Sequence, residues 1–257
     1  MRSGSRNAEV FGGSAHSNIA IEFGFRGVGT TNSNSCASGT VSVGEALRYI
    51  RDDFADVIVA GGAEAPLTAI TIGAFDIIKT MSRWTGDPAL ACRPFDLLRD
   101  GFVMGEGGAS LVVEELEHAR ARGARIYAEV LGYAQLAPEQ IDYVNAHASS
   151  TQLNDSTETA SIKQVLGEQA QRIAVSGTKG YYAHPLGATG TIEAALCALA
   201  LDRQWIPPTI NYGNPDPACD LDIVPNSGRA AELNYVMSNS FGFGGINACI
   251  VLGKIRD

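Results

Sequence analysis

The chain has 257 residues, of which 45% are hydrophobic and 18% charged, and a formal net charge of −9. That length suits one large domain or two modest ones, the composition excludes intrinsic disorder, and the acidic balance argues against broad nucleic-acid binding. No apolar run reaches the roughly 18 residues a membrane span requires, and the opening MRSGSRNAEVFGG lacks the apolar core of a signal peptide, so a soluble, cytoplasmic protein is expected.

In chain order, a polar, extended run over Gly29 to Asn34 reads as a strand leading to Cys36. The residues after it have helical spacing: Val41, Leu47 and Ile50 share a face, with Ala46 beside them, and Ser35 and Ser38 are candidate caps. A cysteine at a helix N-terminus is a candidate nucleophile, because the unpaired N–H groups stabilise a thiolate and lower its pKa from about 8.5. The ordinary alternative is a packed core thiol. Next come a buried strand at Asp56 to Gly61, a helix over Ile70 to Met81 and, after a charged glycine-rich loop, a strand at Ala109 to Glu114. A helix over Leu116 to Arg122, stopped by Gly123, precedes a strand at Ile126 to Leu131.

The second half opens with a strand at Ile141 to Asn145, a polar loop and a helix capped near Asp155. The stretch IAVSGTKGYYAHPLGATGTIEAALCALAL repeats strand, glycine-rich loop and helix, and YVMSNSFGFGGINACIVL reads as a closing hairpin. Strands alternating with helices imply a mainly parallel, layered α/β fold. No close sequence repeat is evident.

The conspicuous polar residues all follow strands, where open α/β sheets build their sites. Cys36 follows one strand, His147 follows YVNA, Lys179 and His184 follow IAVSG, and Phe241 to Gly245 follows YVMSNS. Each alone has an ordinary structural explanation; four together point to one site. His16 and His118 have no supporting motif. The five cysteines, Cys36, Cys92, Cys197, Cys219 and Cys249, form no C-x-x-C pair, so neither zinc nor a redox motif is expected, and Cys249 reads as core.

Five ordered motifs carry a family resemblance: NSCAS around Cys36, RPFDLLRDGFVMGEG from Arg93, NAHASST from Asn145, GTKGYYAHPLGATG from Gly177 and NSFGFGGIN from Asn239. The chain resembles the β-ketoacyl-[acyl-carrier-protein] synthases of the elongating type, I and II, from about Phe11 onward. The resemblance implies a thiolase-like α-β-α-β-α fold. It also implies decarboxylative Claisen condensation of an acyl group held on Cys36 with malonyl-acyl carrier protein, as in fatty-acid elongation. A polyketide-type ketosynthase is the close alternative.

By the same resemblance His147 and His184 are the two active-site histidines, Lys179 their companion and Glu193 its partner. The N–H groups of Cys36 and Phe243 form the oxyanion hole, and Phe243 also gates the acyl pocket. Ser149, Thr151 and Phe241 bind substrate. No metal or cofactor is implied, since phosphopantetheine arrives on the acyl carrier protein; a homodimer paired through the strand before Cys36 is implied.

Relatives carry a longer segment before the cysteine and an inserted loop and helix near Ala134 to Gln135. The expected organisation is therefore a partial N-terminal half, residues 1–134, and a C-terminal half, residues 135–257, with apolar surface left uncovered on the first. An incomplete fragment acting only as a partner is the non-enzymatic alternative. Ala148 and Ala183 stand where relatives have glycine, so strain is expected in both histidine loops.

Overall fold

The computed structural model describes residues 13–132 and 136–255. The expected insertion point at Ala134 to Gln135 and the start of the family resemblance at Phe11 lie outside the described residues. Helix α1, Ser14–Phe23, has no buried residue. The expected strand at Gly29 to Asn34 is absent: no described strand runs beside it. Its polar groups turn instead to the next helix, with the Asn34 N–H donating to Ser38 Oγ at 2.8 Å.

A 3-10 turn over Ser35–Ala37 carries Cys36 into helix α2, Ser38–Arg51. Neither expected serine caps it. Ala37 holds the cap position, and the Ser38 hydroxyl donates to the Ser35 carbonyl at 2.8 Å. The buried face of α2 is Gly39, Thr40, Val43 and Ala46 rather than the larger Val41, Leu47 and Ile50.

Strands β1, Val57–Glu64, and β2, Gly107–Glu114, pair antiparallel, with helix α3, Ala69–Ile77, between them in sequence. Thr68 Oγ1 caps α3 by accepting the Thr71 N–H, and the helix stops four residues short of Met81. Helix α4, Leu116–Ala121, is followed by a β3 of only Glu129–Val130. Then come β4 (Tyr143–Asn145), α5 (Gln152–Leu166), β5 (Ala174–Ser176) and α6 (Thr189–Arg203). A small pair, β6 (Trp205–Ile206) and β7 (Arg229–Ala230), precedes the expected hairpin of β8 (Tyr235–Gly242) and β9 (Ile246–Gly253).

The main sheet runs β3-β9-β8-β4-β5. Only β4 with β5 and β4 with β8 are parallel; the β1–β2, β3–β9, β6–β7 and β8–β9 pairs are antiparallel, so the mainly parallel expectation gives way to a mixed sheet. The cause is local: the three-residue FGG turn between β8 and β9 can only return the chain antiparallel.

Helices α2 and α6 are sandwiched between the two sheets. Val43 and Ala46 of α2 pack with Ala60, Ala194 and Ile250, and Cys197, Ala200 and Leu201 of α6 pack with Tyr143, Val236 and Leu252. Their first turns cross closely. A Cβ on Gly39 would lie 2.4 Å from the Thr191 nitrogen, and one on Gly190 would lie 2.4 Å from the Thr40 nitrogen. Only glycine fits either position. On the far side of the main sheet, Ile162 and Leu166 of α5 pack on Val144, Ala146 and Val175. The outer face of β1–β2 carries Val57 and Val112, which are 42% and 62% exposed, and Ile70 and Ile77 of α3 are more exposed still. This is the uncovered apolar surface expected of the first half.

Candidate active site

The loops that follow Cys36, β4, β5 and β8 meet at one buried locus. Cys36 is 3% exposed and packs with Phe102, Met104 and Leu186, with Phe75 and Met81 against them. Its sulfur is within hydrogen-bonding influence of two backbone N–H groups, those of Phe243 and of Cys36 itself. Burial pushes the thiol up from its ordinary value, against the pull of Lys179 and the two N–H groups. The expected depression by the helix N-terminus is thus overridden, because desolvation of a thiolate outweighs the partial charges offered.

His184 is held at three points. Its N–H donates to the Val103 carbonyl at 2.8 Å, its carbonyl accepts from Gly105, and its Nδ1 is 2.9 Å from Thr189 Oγ1. The His147 and His184 rings lie edge to face with centroids 5.2 Å apart, and Phe102 backs His184 at 5.7 Å. Both histidines are buried, and burial first, then the Lys179 charge, holds them well below the ordinary imidazole value; His184 adds to the effect on His147. They are therefore neutral N–H donors near pH 7.

Lys179 and Glu193 are completely buried and joined at 2.6 Å. The Lys179 ammonium also donates to the His147 carbonyl. Burial pushes the Glu193 carboxyl above its ordinary range although Lys179 pulls it down. Ser149 and Thr151 hydroxyls lie 3.0 Å apart beside the His147 loop. Thr151 Oγ1 also caps α5 by accepting the Asn154 N–H, the role expected of Asp155. Phe241 stands 5.7 Å from the His147 ring; Phe243 is half exposed and 5.8 Å from Phe75.

Sequence reading missed two sets of residues here. The first is the apolar wall of Phe75, Phe102, Met104 and Leu186, which comes from three separate segments. The second is the carboxylate pair Asp155 and Glu158. Glu158 accepts the N–H groups of His147 and Ala148, each at 2.8 Å, and Asp155 accepts those of Phe95 and Ser150. A signal did exist, since Asp155, Glu158, Ile162 and Leu166 fall on one helical face and the acids therefore point inward. Cys249 is a correction: it lies on the exposed side of β9, opposite buried Ile250, and its thiol donates to Asn239 Oδ1. His118 is exposed beside Glu114.

Ala148 and Ala183 both hold left-handed backbone, at φ 41° and 59°. At the first of these the neighbour compensates: a Cβ on Gly177 would come 2.5 Å from Ala148 Cβ. Gly177→Ala is expected to lower stability by about 1–3 kcal/mol through overpacking. Adding Ala148→Gly should recover a large part of that loss, with Pro94 the remaining obstacle at 2.9 Å. Urea unfolding of the four proteins in the double-mutant cycle measures this coupling. Additive effects would refute it.

Among the described residues no group of three or more potential ligands could hold a metal ion, and no helix is long and apolar enough to cross a membrane.

Comparison with known proteins gives the arrangement its family. Residues 5–119 match the N-terminal domain of β-ketoacyl synthases and residues 102–213 the C-terminal domain. The chain is 43% identical over 268 residues to the tetracenomycin polyketide synthase ketoacyl synthase alpha subunit of Streptomyces glaucescens, an alignment covering 93% of this chain and 63% of that protein. It is 40% identical over 268 residues to 3-oxoacyl-[acyl-carrier-protein] synthase 2 of Coxiella burnetii, covering 93% of this chain and 65% of that protein.

Among solved structures, a type II polyketide ketosynthase bound to its acyl-carrier protein and a hexaketide superposes with a TM-score of 0.90 at 36% identity, covering 95% of this chain and 67% of that one. A β-ketoacyl synthase from Burkholderia phymatum gives 0.88 at 35% identity, covering 95% and 65%. The chain thus spans somewhat under two thirds of the length of its curated relatives, and its architecture is the layered, thiolase-like α/β fold that the sequence led us to expect. On both counts, the ordered motifs and the superposed fold, this chain belongs to the β-ketoacyl synthase family.

Proposed function

We propose that the protein catalyses decarboxylative condensation of an acyl group with malonyl-acyl carrier protein to give 3-oxoacyl-acyl carrier protein. The observation that carries this reading is the meeting of a buried cysteine, two neutral histidines and a buried lysine at one apolar locus. The Cys36 sulfur attacks the thioester carbonyl of an acyl-carrier protein. The oxyanion forms against the Cys36 and Phe243 N–H groups, and the carrier thiol leaves with the proton.

Malonyl-carrier protein then takes its place, with Ser149, Thr151 and Phe241 along the arm. Its carbon–carboxylate bond breaks, carbon dioxide departs and the electron pair enters the thioester as an enolate. The N–H groups of His147 and His184 stabilise the enolate oxygen. With Thr189 donating its hydroxyl proton to Nδ1, His184 carries its own proton on Nε2. The enolate carbon attacks the acyl-Cys36 carbonyl, the carbon–sulfur bond breaks, and the departing thiolate takes up a proton from solvent to restore the Cys36 thiol. Lys179, fixed by Glu193, holds the His147 backbone and adds to the burial that keeps both imidazoles neutral. No cofactor enters beyond the carrier's phosphopantetheine.

The test is direct. Purified protein of verified intact mass, mixed with acyl- and malonyl-carrier protein, should yield carbon dioxide and a 3-oxoacyl product visible by mass spectrometry. A folded protein that neither takes up acyl groups nor forms such a product would support the non-enzymatic partner instead. Fatty-acid elongation is the primary reading. The 43% identity to a polyketide subunit favours a second one, iterative extension, which would add several two-carbon units where elongation adds one.

We further infer cytoplasmic residence and two thiolase-like halves, residues 1–134 and 135–257. A homodimer through the segment before Cys36 would give Gly29 to Asn34 the strand partner it lacks among the described residues of one chain. Light scattering should return twice the chain mass of 27.0 kDa. A catalytically competent monomer would refute the dimer.

A further inference from the structure

Arg93 is a buried cation without a counterion among the described residues. It is 6% exposed and forms no ion pair among the described residues, and its guanidinium is committed only through Nε, which donates to the Leu90 carbonyl at 2.8 Å. Nη2 is buried with no acceptor at all. The guanidinium also lies over an aromatic face, the Trp84 ring, 3.8 Å from its central carbon. Buried charges are ordinarily paired, because an unpaired one forfeits its hydration for nothing. Asp96, in the same wall, does not fill the role. Its Oδ2 already accepts the Gly213 and Asn214 N–H groups at 2.7 Å each, and its Oδ1 accepts that of Leu98.

This unpaired guanidinium lines a cavity of about 380 Å³, whose other walls include Trp84, Leu90, Asn211, Tyr212 and Asn226. That volume is within the range of small-molecule sites. The polar side chains around it are already spoken for: Asn211 Nδ2 donates to the Ala89 and Cys92 carbonyls, and Asn226 binds the Tyr212 backbone. What remains for a ligand is one cation and an apolar, aromatic surround, with the Asp96 carboxylate in the wall already engaged by backbone N–H groups.

We propose that this cavity binds a small organic carboxylate with an apolar, planar body. The carboxylate pairs with the free edge of the Arg93 guanidinium, whose planar fork matches it, and the body packs against Leu90 and the rings of Trp84 and Tyr212. A single cation beside the Asp96 carboxylate suits a monoanion better than a phosphate dianion. The site is distinct from the Cys36 locus but adjoins its scaffold: the Arg93 N–H donates to Ser150 Oγ at 3.0 Å, and the next residue back, Cys92, donates its thiol to the Lys179 carbonyl. The inference stands without the catalytic reading, since its test measures binding.

Trp84 supplies the signal. In a Trp205→Phe background it is the sole tryptophan, since the chain has two. Titration with 4-phenylbutyrate at pH 7.5 should change its fluorescence saturably, and 4-phenylbutanol, matched but uncharged, should bind at least ten-fold more weakly. Arg93→Met should remove the preference for the acid, Arg93→Lys should retain part of it, and alkylating Cys36 with iodoacetamide should leave the affinity unchanged. The proposal falls if no saturable change occurs, if the alcohol binds as well as the acid, if a folded Arg93→Met protein keeps the preference, or if Cys36 alkylation abolishes binding. Circular dichroism establishes folding of each variant. If neither Arg93 variant folds, the comparison of acid with alcohol decides alone.

Discussion

Cys36→Ala is expected to lower condensation by a factor on the order of 10⁴ or more, because no acyl-enzyme can form without the sulfur. Condensation, followed as 3-oxoacyl product, should vanish, while decarboxylation of malonyl-carrier protein should survive, since that step uses the histidines. Stability should change little: alanine removes one sulfur from a pocket whose walls are Phe102, Met104 and Leu186. Mass mapping after brief alkylation gives an independent check. Burial pushes up all five thiols, so preferential label on Cys36 would come from the two N–H groups and the Lys179 charge that act on its sulfur, and Cys249, the exposed cysteine, is the main competitor for label. If Cys36→Ala condenses at the parent rate, the assignment of the nucleophile is wrong.

The second large effect concerns the histidine pair. His147→Ala and His184→Ala should each slow malonyl decarboxylation by about 10²–10³, the usual cost of one preorganised donor to a developing oxyanion. Acyl transfer to Cys36, which relies on the backbone N–H groups, should fall much less. The two substitutions should also be far from additive, since the rings touch and share Lys179 as a neighbour. Comparing acyl-enzyme formation by mass spectrometry with carbon dioxide release separates the steps. Equal losses in both would mean that the histidines serve the fold of the pocket and not the enolate.

Glu158→Gln tests how the His147 loop is held. The carboxylate accepts two backbone N–H groups and the Asn239 amide, and an amide side chain can present only one oxygen to them. One buried N–H of the loop would be left without an acceptor, a cost of about 1–3 kcal/mol. The loss should appear as a lower urea midpoint. Unchanged stability would show that water or a shifted loop satisfies the group.

Much of this architecture was legible in the linear sequence. The strand at Val57–Glu64, the helices at α2, α5 and α6 and the β8–β9 hairpin follow from hydrophobic period and glycine punctuation, which are local properties. His147, Lys179 and His184 stood out because each follows a strand, Cys36 because it opens a helix, and all four sit in recognisable motifs. Tertiary structure decided the rest. The Ser-Gly-Thr opening α2 and the Thr-Gly-Thr opening α6 look unremarkable as text, yet their glycines set how closely two buried helices cross.

Burial reversed the expected depression of the Cys36 thiol, because desolvation depends on what surrounds the sulfur and not on its neighbours in sequence. It also turned Glu158 into the anchor of the His147 loop. The segment Gly29 to Asn34 has strand-like composition but no partner among the described residues to complete a ladder. The sequence alone therefore determined which residues stand at the candidate site and the order of the elements that present them. Packing alone decided their protonation, their distances and the surfaces left uncovered, because these depend on contacts between segments far apart in the chain.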